Sequence, residues 1–327
     1  MRLGFLGVGW IGRDRLRALV ASGLAEAALV ADASPAVAAE AAAEVGAQVV
    51  SPEELLTAEL DGVVIATPSA LHAEQTTAAL GNGTAVFCQK PLGRDAAETA
   101  AVVGAARQAD RLLGVDLSYR HLSATDALRT TLRSGKLGSI YAVDLVFHNA
   151  YGPDKPWFRD PALSGGGCVI DLGIHLVDLA HHLLVDAGEW APVEQATSRL
   201  FAGGRPLDGR THVVEDFATC RLDLCNGAVI NLACSWNLHA GQEAVISATF
   251  YGTDGAVALT NVGGSFYDFR AVRHTGTSST TLVEPPDDWG GRAAVDWARR
   301  LAAGQRFDVA AEELVVSAAI LDAIYGR

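Results

Sequence analysis

The sequence predicts an α/β domain with a doubly wound parallel sheet, followed by an α+β domain with an open, mainly antiparallel sheet. In the first third of the chain, short apolar runs alternate with alanine-rich helical segments, which is typical of repeated βαβ units. Later strand-like runs are separated by turn signals such as Asn226-Gly227 and Asp254-Gly255, as hairpins require. A chain of 327 residues has room for about two domains. We place them at residues 1–118 and 119–327, and the last helix is left free to pack back on the first domain.

The individual elements follow from local signals. Ser51 before Pro52 is an N-cap followed by an N1 proline, and Asp95 with Glu98 has capping-box spacing. The strands predicted for the first domain are Leu3–Leu6, Ala27–Ala31, Gln48–Val50, Gly62–Ala66, Ala85–Cys88 and Leu113–Leu117. For the second domain we predict a helix at Leu122–Arg133 and strands at Ile140–His148, Val213–Leu224, Val229–Leu238, Ala244–Tyr251 and Ala256–Thr260.

Composition narrows the classes of partner and compartment. The chain has 25 Lys and Arg against 38 Asp and Glu, a net charge of −13, which disfavours binding to nucleic acid or to an anionic membrane. No apolar run approaches the roughly 18 uninterrupted residues of a membrane helix, and the glycine-interrupted run Leu3–Gly12 is unlike a signal peptide. The five cysteines are scattered and odd in number, which favours reduced thiols. We therefore expect a soluble, cytoplasmic protein.

A glycine-rich turn opens the first predicted helix. Gly7-Val8-Gly9-Trp10-Ile11-Gly12 has the G-x-G-x-x-G spacing directly after a strand. In such a turn the first glycine permits the tight bend, the second lets the backbone approach a pyrophosphate, and the third packs the helix on the sheet. Asp32 ends the second strand, where a carboxylate accepts ribose hydroxyls. A chance glycine turn with an unrelated surface aspartate is the alternative.

The same segment predicts which nicotinamide cofactor binds. A carboxylate at Asp32 would repel a 2′-phosphate, and the following Ala33-Ser34-Pro35 supplies no cation to hold one. We therefore expect NAD in preference to NADP.

Three further segments complete a set of motifs. Ala66-Thr67-Pro68-Ser69-Ala70-Leu71-His72 follows the fourth strand, Cys88-Gln89-Lys90-Pro91-Leu92 follows the fifth, and Gly165-Gly166-Gly167-Cys168-Val169-Ile170-Asp171-Leu172-Gly173-Ile174-His175 lies in the second half. With the N-terminal glycines, their order resembles the glucose-fructose oxidoreductase, inositol dehydrogenase and rhizopine catabolism family, abbreviated Gfo/Idh/MocA. The resemblance covers essentially the whole chain.

The resemblance implies an N-terminal Rossmann domain, a C-terminal sheet often used in oligomerisation, and hydride transfer between a nicotinamide and a sugar or polyol carbon. It also implies that Thr67, Pro68 and His72 line the cofactor, as would Trp10 and Ile11 of the glycine turn. A homodimer or homotetramer that binds a small carbohydrate or polyol is expected on the same ground.

Lys90 is the first candidate for the chemistry. The resemblance places it beside the nicotinamide, and it is one of only three lysines among 25 basic residues. A desolvated lysine can release its proton whereas an arginine stays protonated, so the choice of lysine is suggestive, with compositional accident as the alternative. The family usually has Glu-Lys-Pro where this chain has Gln89-Lys90-Pro91. A glutamine removes an anion beside Lys90 but keeps an amide able to contact the cofactor.

Asp171 and His175 are four residues apart and therefore share one face of a helix. The carboxylate can orient the imidazole or bind a substrate hydroxyl while His175 takes or gives a proton. The alternative is a helix N-terminus with a hydrogen-bonded core histidine. Asp178 and His182 continue the stripe at a spacing that could hold zinc, but no companion ligands are evident elsewhere, so we predict no metal.

Candidates for substrate contact lie at the start of the predicted second domain and in the stretch that precedes its glycine run. Aromatic faces suit sugar rings, and arginine suits a carboxylate or phosphate, although ordinary loop packing is equally consistent with these residues. They are Tyr119, Arg120, Asn149, Tyr151, Trp157 and Arg159.

These observations favour an NAD-dependent oxidoreductase that acts on a secondary alcohol or ketone of a sugar, inositol or related polyol. In this reading Lys90, Asp171 and His175 are catalytic. Two alternatives stay open at this point. One is a redox-assisted glycosidase or lyase that regenerates its nicotinamide, and the other is a non-catalytic NAD-binding sensor.

Overall fold

Six parallel strands form the first sheet in the computed structural model, which describes residues 1–207 and 212–327. The strands are β1 (Arg2–Leu6), β2 (Glu26–Ala31), β3 (Gln48–Val49), β4 (Gly62–Ile65), β5 (Ala85–Cys88) and β6 (Leu113–Val115). Their order is β3-β2-β1-β4-β5-β6, with every neighbouring pair parallel. This confirms the predicted doubly wound sheet. The order reverses between β1 and β4, the point at which such sheets bind ligands beyond the carboxyl ends of their strands.

Helices connect these strands as the βαβ pattern predicts. They are α1 (Trp10–Ala21), α2 (Pro35–Val45), α3 (Pro52–Thr57), α4 (Ser69–Gly81) and α5 (Ala96–Ala109). The predicted caps are confirmed. The Ser51 hydroxyl accepts the N–H of Glu54 at 3.2 Å while the Glu54 carboxylate accepts the N–H of Ser51 at 2.8 Å. At α5 the Asp95 carboxylate accepts the N–H of Glu98 at 2.8 Å.

A second sheet of nine strands follows, and it is mainly antiparallel as predicted. The strands are β7 (Ile140–Asn149), β8 (Val193–Ala202), β9 (Arg205–Pro206), β10 (Phe217–Leu224), β11 (Val229–Ser235), β12 (Ala244–Gly252), β13 (Ala256–Asn261), β14 (Phe269–Thr275) and β15 (Ser278–Val283). Their order is β15-β14-β13-β12-β7-β11-β10-β8-β9, and the central pair of β7 and β11 is parallel.

The sequence prediction of this sheet was incomplete. β8, β9, β14 and β15 were not predicted, because their polar residues dilute the alternation that marks a strand. In β15 five of the six residues are exposed. The strand predicted from Val213 begins only at Phe217, and the strand predicted to reach Leu238 ends at Ser235.

The α-helices described between residues 119 and 289 are α6 (Ser123–Arg133), α7 (Pro161–Ser164) and α8 (Ile174–Ala187). A π-helical turn at Val169–Gly173 leads directly into α8. The stretch Pro161–Ala187 is long and apolar enough to cross a membrane by length and composition, yet 78% of its apolar window is buried within the protein, as in a core helix. This stretch contains no long uninterrupted apolar run, because charged and histidine side chains lie between its apolar residues.

The chain divides into two compact units, Met1–Ser118 with Gly290–Val316, and Tyr119–Trp289 with Ser317–Arg327. By this division residues 290–316 group with the first unit, whereas the sequence-based boundary placed them in a second domain at 119–327 whose last helix was left free to pack back on the first. Two last helices, α9 (Arg292–Ala302) and α10 (Glu312–Tyr325), follow the second sheet. Trp297 of α9 lies in the core of the first unit with its ring centroid 5.7 Å from that of Phe87.

Two strand glycines explain why Trp297 fits there. A Cβ added at Gly62 would lie 2.6 Å from Cη2 of Trp297, and one added at Gly114 would lie 2.7 Å from its Cδ1. Real Cβ atoms do not approach so closely, so both strands use glycine to admit the indole ring. A nonlocal contact of this kind leaves no trace in the spacing of residues along the chain.

Candidate active site

The glycine turn contains glycines of two kinds. Gly7 has a φ of +82°, and a Cβ on it would lie 2.7 Å from the backbone of Ala66. A Cβ on Gly12 would overlap the carbonyl oxygen of Gly7. Gly9 has an ordinary φ of −63°, and nothing would lie within 4 Å of its Cβ. The fold therefore requires glycine at positions 7 and 12, whereas at position 9 it leaves open space that a ligand can enter.

Asp32 joins the end of β2 to this turn. Its Oδ2 accepts the backbone N–H of Val8 at 2.8 Å, and its Oδ1 accepts the N–H of Ser34 at 2.9 Å. The residue is half-buried. A carboxylate has about four acceptor positions, so the two hydrogen bonds orient the group and leave capacity for hydroxyl donors.

The loops after β4 and β5 are joined through His72. The imidazole is 1% exposed, with Nδ1 lying 2.6 Å from the carbonyl oxygen of Pro91 and Nε2 lying 2.7 Å from that of Thr67. Burial lowers the pKa of His72 below its ordinary value. Thr67 donates its hydroxyl to Gln75 at 2.7 Å, and Pro68 is the N-cap of α4. In the described structure His72 thus holds these loops from inside the unit.

The two non-glycine residues between Gly9 and Gly12 differ in exposure. The side chain of Trp10 is 77% exposed at the start of α1, and Ile11 is half-buried. Trp10 is therefore the most exposed large apolar residue of the glycine turn.

Gln89 and Lys90 follow β5 directly. Gln89 is buried and donates its side-chain amide to the carboxylate of Asp116, the residue that follows β6. Arg15 of α1 donates Nε to the same carboxylate at 2.5 Å. Lys90 is half-buried, and its peptide bond to Pro91 is cis. The sequence reasoning identified Gln89 and Lys90 but missed Arg15 and Asp116; only the position of Asp116 as the first polar residue after a strand offered a signal.

The second unit presents Asp171 and His175 at the start of one helical segment. Asp171 lies in the π-helical turn, and His175 lies in the first turn of α8. Trp236 donates its indole N–H to Oδ2 of Asp171 at 3.0 Å. The His175 ring centroid lies 4.8 Å from that of Tyr119 and 6.1 Å from that of Phe147. An oriented carboxylate and an imidazole against aromatic rings are thus placed on the same segment.

Glu215 anchors the segment that precedes Asp171. Its buried carboxylate accepts the N–H of Gly167 at 3.0 Å, the N–H of Val169 at 2.9 Å and the hydroxyl of Tyr325 at 2.8 Å. Desolvation raises the pKa of Glu215 above its ordinary value of 4.5. A Cβ on Gly166 would overlap the Tyr325 hydroxyl, and one on Gly167 would overlap the backbone of Glu215. The triple glycine therefore allows this close packing, and neither partner was identified from the sequence.

The predicted substrate residues divide into two groups. Tyr119 is buried beside His175, and burial raises the pKa of its hydroxyl above the ordinary value. Arg120 forms a bidentate ion pair with buried Asp178, with N–O distances of 2.7 and 2.6 Å, so its guanidinium supports the unit from inside. The others lie at the end of β7 or in the segment that follows it: Asn149, the exposed Tyr151 and Arg159, and Trp157, which stacks on Phe158.

Two of the side chains considered as zinc ligands, Asp178 and His182, contact arginines. Asp178 is paired with Arg120, and the Nε2 atom of His182 lies 2.9 Å from Nη2 of Arg129. Within residues 1–207 and 212–327, no three His, Cys, Asp or Glu side chains are grouped so that they could hold a metal ion.

Comparison with known families covers both units. Residues 1–117 match the family described as "Oxidoreductase family, NAD-binding Rossmann fold", and residues 125–258 match the "GFO/IDH/MocA C-terminal domain". The chain belongs to the Gfo/Idh/MocA family. The resemblance read from the four motifs is thereby confirmed, and with it the NAD-binding Rossmann fold of residues 1–117.

Individual members of the Gfo/Idh/MocA family are similar to the chain over different lengths. D-glucoside 3-dehydrogenase of Escherichia coli (strain K12) is 28% identical over 213 residues, which cover 63% of this chain and 60% of that protein. Levoglucosan dehydrogenase of Pseudarthrobacter phenanthrenivorans is 27% identical over 293 residues, which cover 79% of this chain and 73% of that protein. The chain thus spans less than two thirds of the length of the first relative.

Solved structures share the fold over nearly the whole chain. The 3-ketoreductase KijD10 of Actinomadura kijaniata, in complex with NADP and TDP-benzene, has a TM-score of 0.84 at 21% identity, covering 99% of this chain and 96% of that one. Levoglucosan dehydrogenase in complex with NADH has a TM-score of 0.82 at 22% identity, and the match covers 99% of this chain and 95% of that one. At these identities the likeness establishes the Gfo/Idh/MocA fold.

Proposed function

We propose that the protein is an NAD-dependent dehydrogenase or reductase that transfers a hydride between nicotinamide and a secondary alcohol or ketone of a sugar, inositol or related polyol. The observation that carries the cofactor assignment is the open space at Gly9, in a turn whose other two glycines are required by the fold. The names of the relatives, D-glucoside 3-dehydrogenase and levoglucosan dehydrogenase, support the substrate class. They favour net oxidoreduction over redox-assisted bond cleavage or NAD sensing.

The residues of the glycine turn fit a dinucleotide. The N–H groups at the start of α1 would face the pyrophosphate at Gly9, and Asp32 would accept the ribose hydroxyls. Asp32 is followed by Ala33, Ser34 and Pro35, none of which carries a positive charge to balance a 2′-phosphate. This supports NAD over NADP, although the solved relatives include complexes with each. When bound, the nicotinamide accepts or supplies the hydride.

The remaining chemistry belongs to the side chains of the protein. Oxidation of an alcohol needs a group that takes the hydroxyl proton and a group that stabilises negative charge developing on oxygen. We assign these tasks to Lys90 and His175. Asp171, oriented by the indole N–H of Trp236 at 3.0 Å, would orient the imidazole or bind a neighbouring substrate hydroxyl.

Assembly and location are part of the proposal. The nine-stranded sheet leaves a face lined by Asp144, Thr197, Arg199, Thr219, Arg221 and Asn231, and we propose that a second copy covers it in a homodimer or homotetramer. Five free thiols and the net charge of −13 support a cytoplasmic protein without nucleic acid or membrane partners.

Two titrations test the cofactor assignment. NADH and NADPH are titrated separately into the purified protein, and binding is followed by the fluorescence of the reduced nicotinamide. The proposal expects a lower dissociation constant for NADH. Equal or tighter binding of NADPH would overturn the preference, and failure of both to bind would overturn the function. Turnover is then sought by following NAD reduction with sugars, inositols and nucleotide sugars.

A further inference from the structure

Four buried side chains form one network at the carboxyl ends of β5 and β6 in the first unit. The carboxylate of Asp116, which is 2% exposed, accepts Nε of Arg15 at 2.5 Å, the side-chain amide of Gln89 and the hydroxyl of Ser118. Arg15 also donates Nη2 to Ser118 at 3.2 Å. We call Arg15, Gln89, Asp116 and Ser118 the Asp116 network. It connects α1, which opens at the glycine turn, to the residue that precedes Lys90.

The Asp116 network explains why an amide occupies position 89. Gln89 is the donor in its hydrogen bond to Asp116, because an ionised carboxylate can only accept. A glutamate at the same position would place a second anion against Asp116. Both residues are buried, so water would screen the repulsion poorly. Arg15 can neutralise one of the two carboxylates, and it already does so for Asp116.

We propose that Asp116 is a positioning residue for Lys90, holding the Gln89 side chain and thereby the backbone from which the lysine projects. This inference rests on the proposed function, in which Lys90 takes part in the reaction. Through Arg15 the same carboxylate is tied to α1. A change at Asp116 should therefore alter both the environment of Lys90 and the affinity for NADH.

The lysine content of the chain allows a direct test that needs neither substrate nor turnover. Reductive methylation with ¹³C-formaldehyde labels Lys90, Lys136, Lys155 and the N-terminal amine, which gives very few NMR signals to assign. Lys136 and Lys155 are exposed and serve as internal controls. The variants are Gln89→Glu, Asp116→Asn and the double variant. The matched control is Asp110→Asn, whose carboxylate pairs with Arg306 at the surface of the same unit at 2.9 Å.

We expect the methyl signal of Lys90 to move in both single variants, and the NADH dissociation constant to rise about tenfold, as the loss of one buried charge-assisted hydrogen bond predicts. Signals of Lys136 and Lys155 should stay in place, and Asp110→Asn should resemble the wild type. In the double variant a single carboxylate again faces a single amide. The double variant should therefore resemble the wild type more closely than Gln89→Glu does, both in the position of the Lys90 methyl signal and in the NADH dissociation constant.

An unmoved Lys90 signal in both folded single variants would overturn the proposal, as would a double variant that equals the sum of the two single effects. If Asp116→Asn does not fold, Ser118→Ala replaces it, because that change removes the hydroxyl that donates to Asp116 and accepts from Arg15 while keeping the Asp116 carboxylate and Gln89. An unmoved Lys90 signal in Ser118→Ala would likewise overturn the proposal. Failure of the proposed function has a different signature, namely a lack of NAD reduction with every sugar while the Lys90 signal still responds.

Discussion

The indole Nε1 of Trp236 lies 3.0 Å from the carboxylate oxygen Oδ2 of Asp171. Trp236 is buried, and its backbone N–H donates to the carbonyl oxygen of Asp216 at 2.7 Å, so the ring that approaches Asp171 is itself fixed. Asp171 precedes His175 by four residues, about one helical turn, on the same segment. An aromatic residue from a distant part of the chain thus orients the carboxylate that we place in the reaction.

Replacement of Trp236 by Phe should reduce turnover and leave cofactor binding intact. A hydrogen bond to a charged group contributes about 1.5–3 kcal/mol, and about 1.4 kcal/mol corresponds to a tenfold change in rate. We therefore expect kcat to fall about 10- to 100-fold, while the NADH dissociation constant is unchanged because Trp236 lies outside the Rossmann unit.

The control for this measurement is Trp190→Phe, which alters a ring that contacts His181 in the same unit. It should retain turnover. If Trp236→Phe kept kcat within about twofold of the wild type, the orienting role of the indole would be excluded.

Replacement of Gly9 by Ala should separate ligand binding from folding. The added Cβ meets nothing within 4 Å, and the φ of −63° is one that alanine adopts freely, so the free energy of unfolding should change by less than about 0.5 kcal/mol. NADH binding should weaken at least about tenfold, because the methyl group would occupy the space of the pyrophosphate.

Gly104→Ala is the matched control for Gly9→Ala. Gly104 lies in α5 of the same unit, and a Cβ there also meets nothing within 4 Å. Urea denaturation and NADH titration of both variants give the comparison. Equal NADH affinity in the two variants would contradict the placement of a pyrophosphate at Gly9.

Glu215 should make the stability of the protein depend on pH. Desolvation raises the pKa of its carboxyl above 4.5, so the folded state binds a proton more tightly than the unfolded state does. Its contribution to the free energy of unfolding is therefore complete below the unfolded pKa and is lost as the pH rises through the folded pKa. Each tenfold difference in proton affinity corresponds to about 1.4 kcal/mol.

Glu215→Gln tests this dependence, since glutamine does not titrate. The difference in unfolding free energy between wild type and variant should favour the wild type most at low pH and decrease as the pH rises above 4.5. Glu194→Gln, at an exposed position of β8, should show no such trend. A difference that grew with pH would show that the carboxylate is stabilised by its three donors more than it is penalised by burial.

Local patterns were sufficient to predict the first sheet and the glycine turn. The strands β1, β4 and β5 of that sheet are short, mostly buried apolar runs, and the glycines of the turn lie within six residues of one another, so local spacing is enough to recognise both. Errors arose where distant contacts decide the structure. The strand predicted to reach Leu117 ends at Val115, and the side chain of Asp116, the next residue, accepts hydrogen bonds from Arg15 and Gln89.

In the candidate site, too, local motifs predicted some residues while distant contacts were missed. Lys90, Asp171 and His175 were identified from motifs, whereas the residues that hold them were not. Asp171 is held by Trp236, and the glycine run before it by Glu215 and Tyr325, from positions more than 40 residues away along the chain. Arg120 has a partner that the sequence did not indicate. An arginine beside a tyrosine suggested substrate contact, which stays a prediction, and its guanidinium pairs with the buried Asp178.

The central claim is tested most directly by NAD reduction over a panel of sugars, inositols and nucleotide sugars, with the wild type, Lys90→Ala and His175→Ala measured in parallel. The Gfo/Idh/MocA assignment predicts that at least one of these compounds is oxidised. Each variant should then lose about 100-fold or more in kcat while binding NADH with wild-type affinity, since general acid–base groups contribute about 10²- to 10⁴-fold. Retention of wild-type kcat by either variant, or oxidation of none of the panel, would contradict the account.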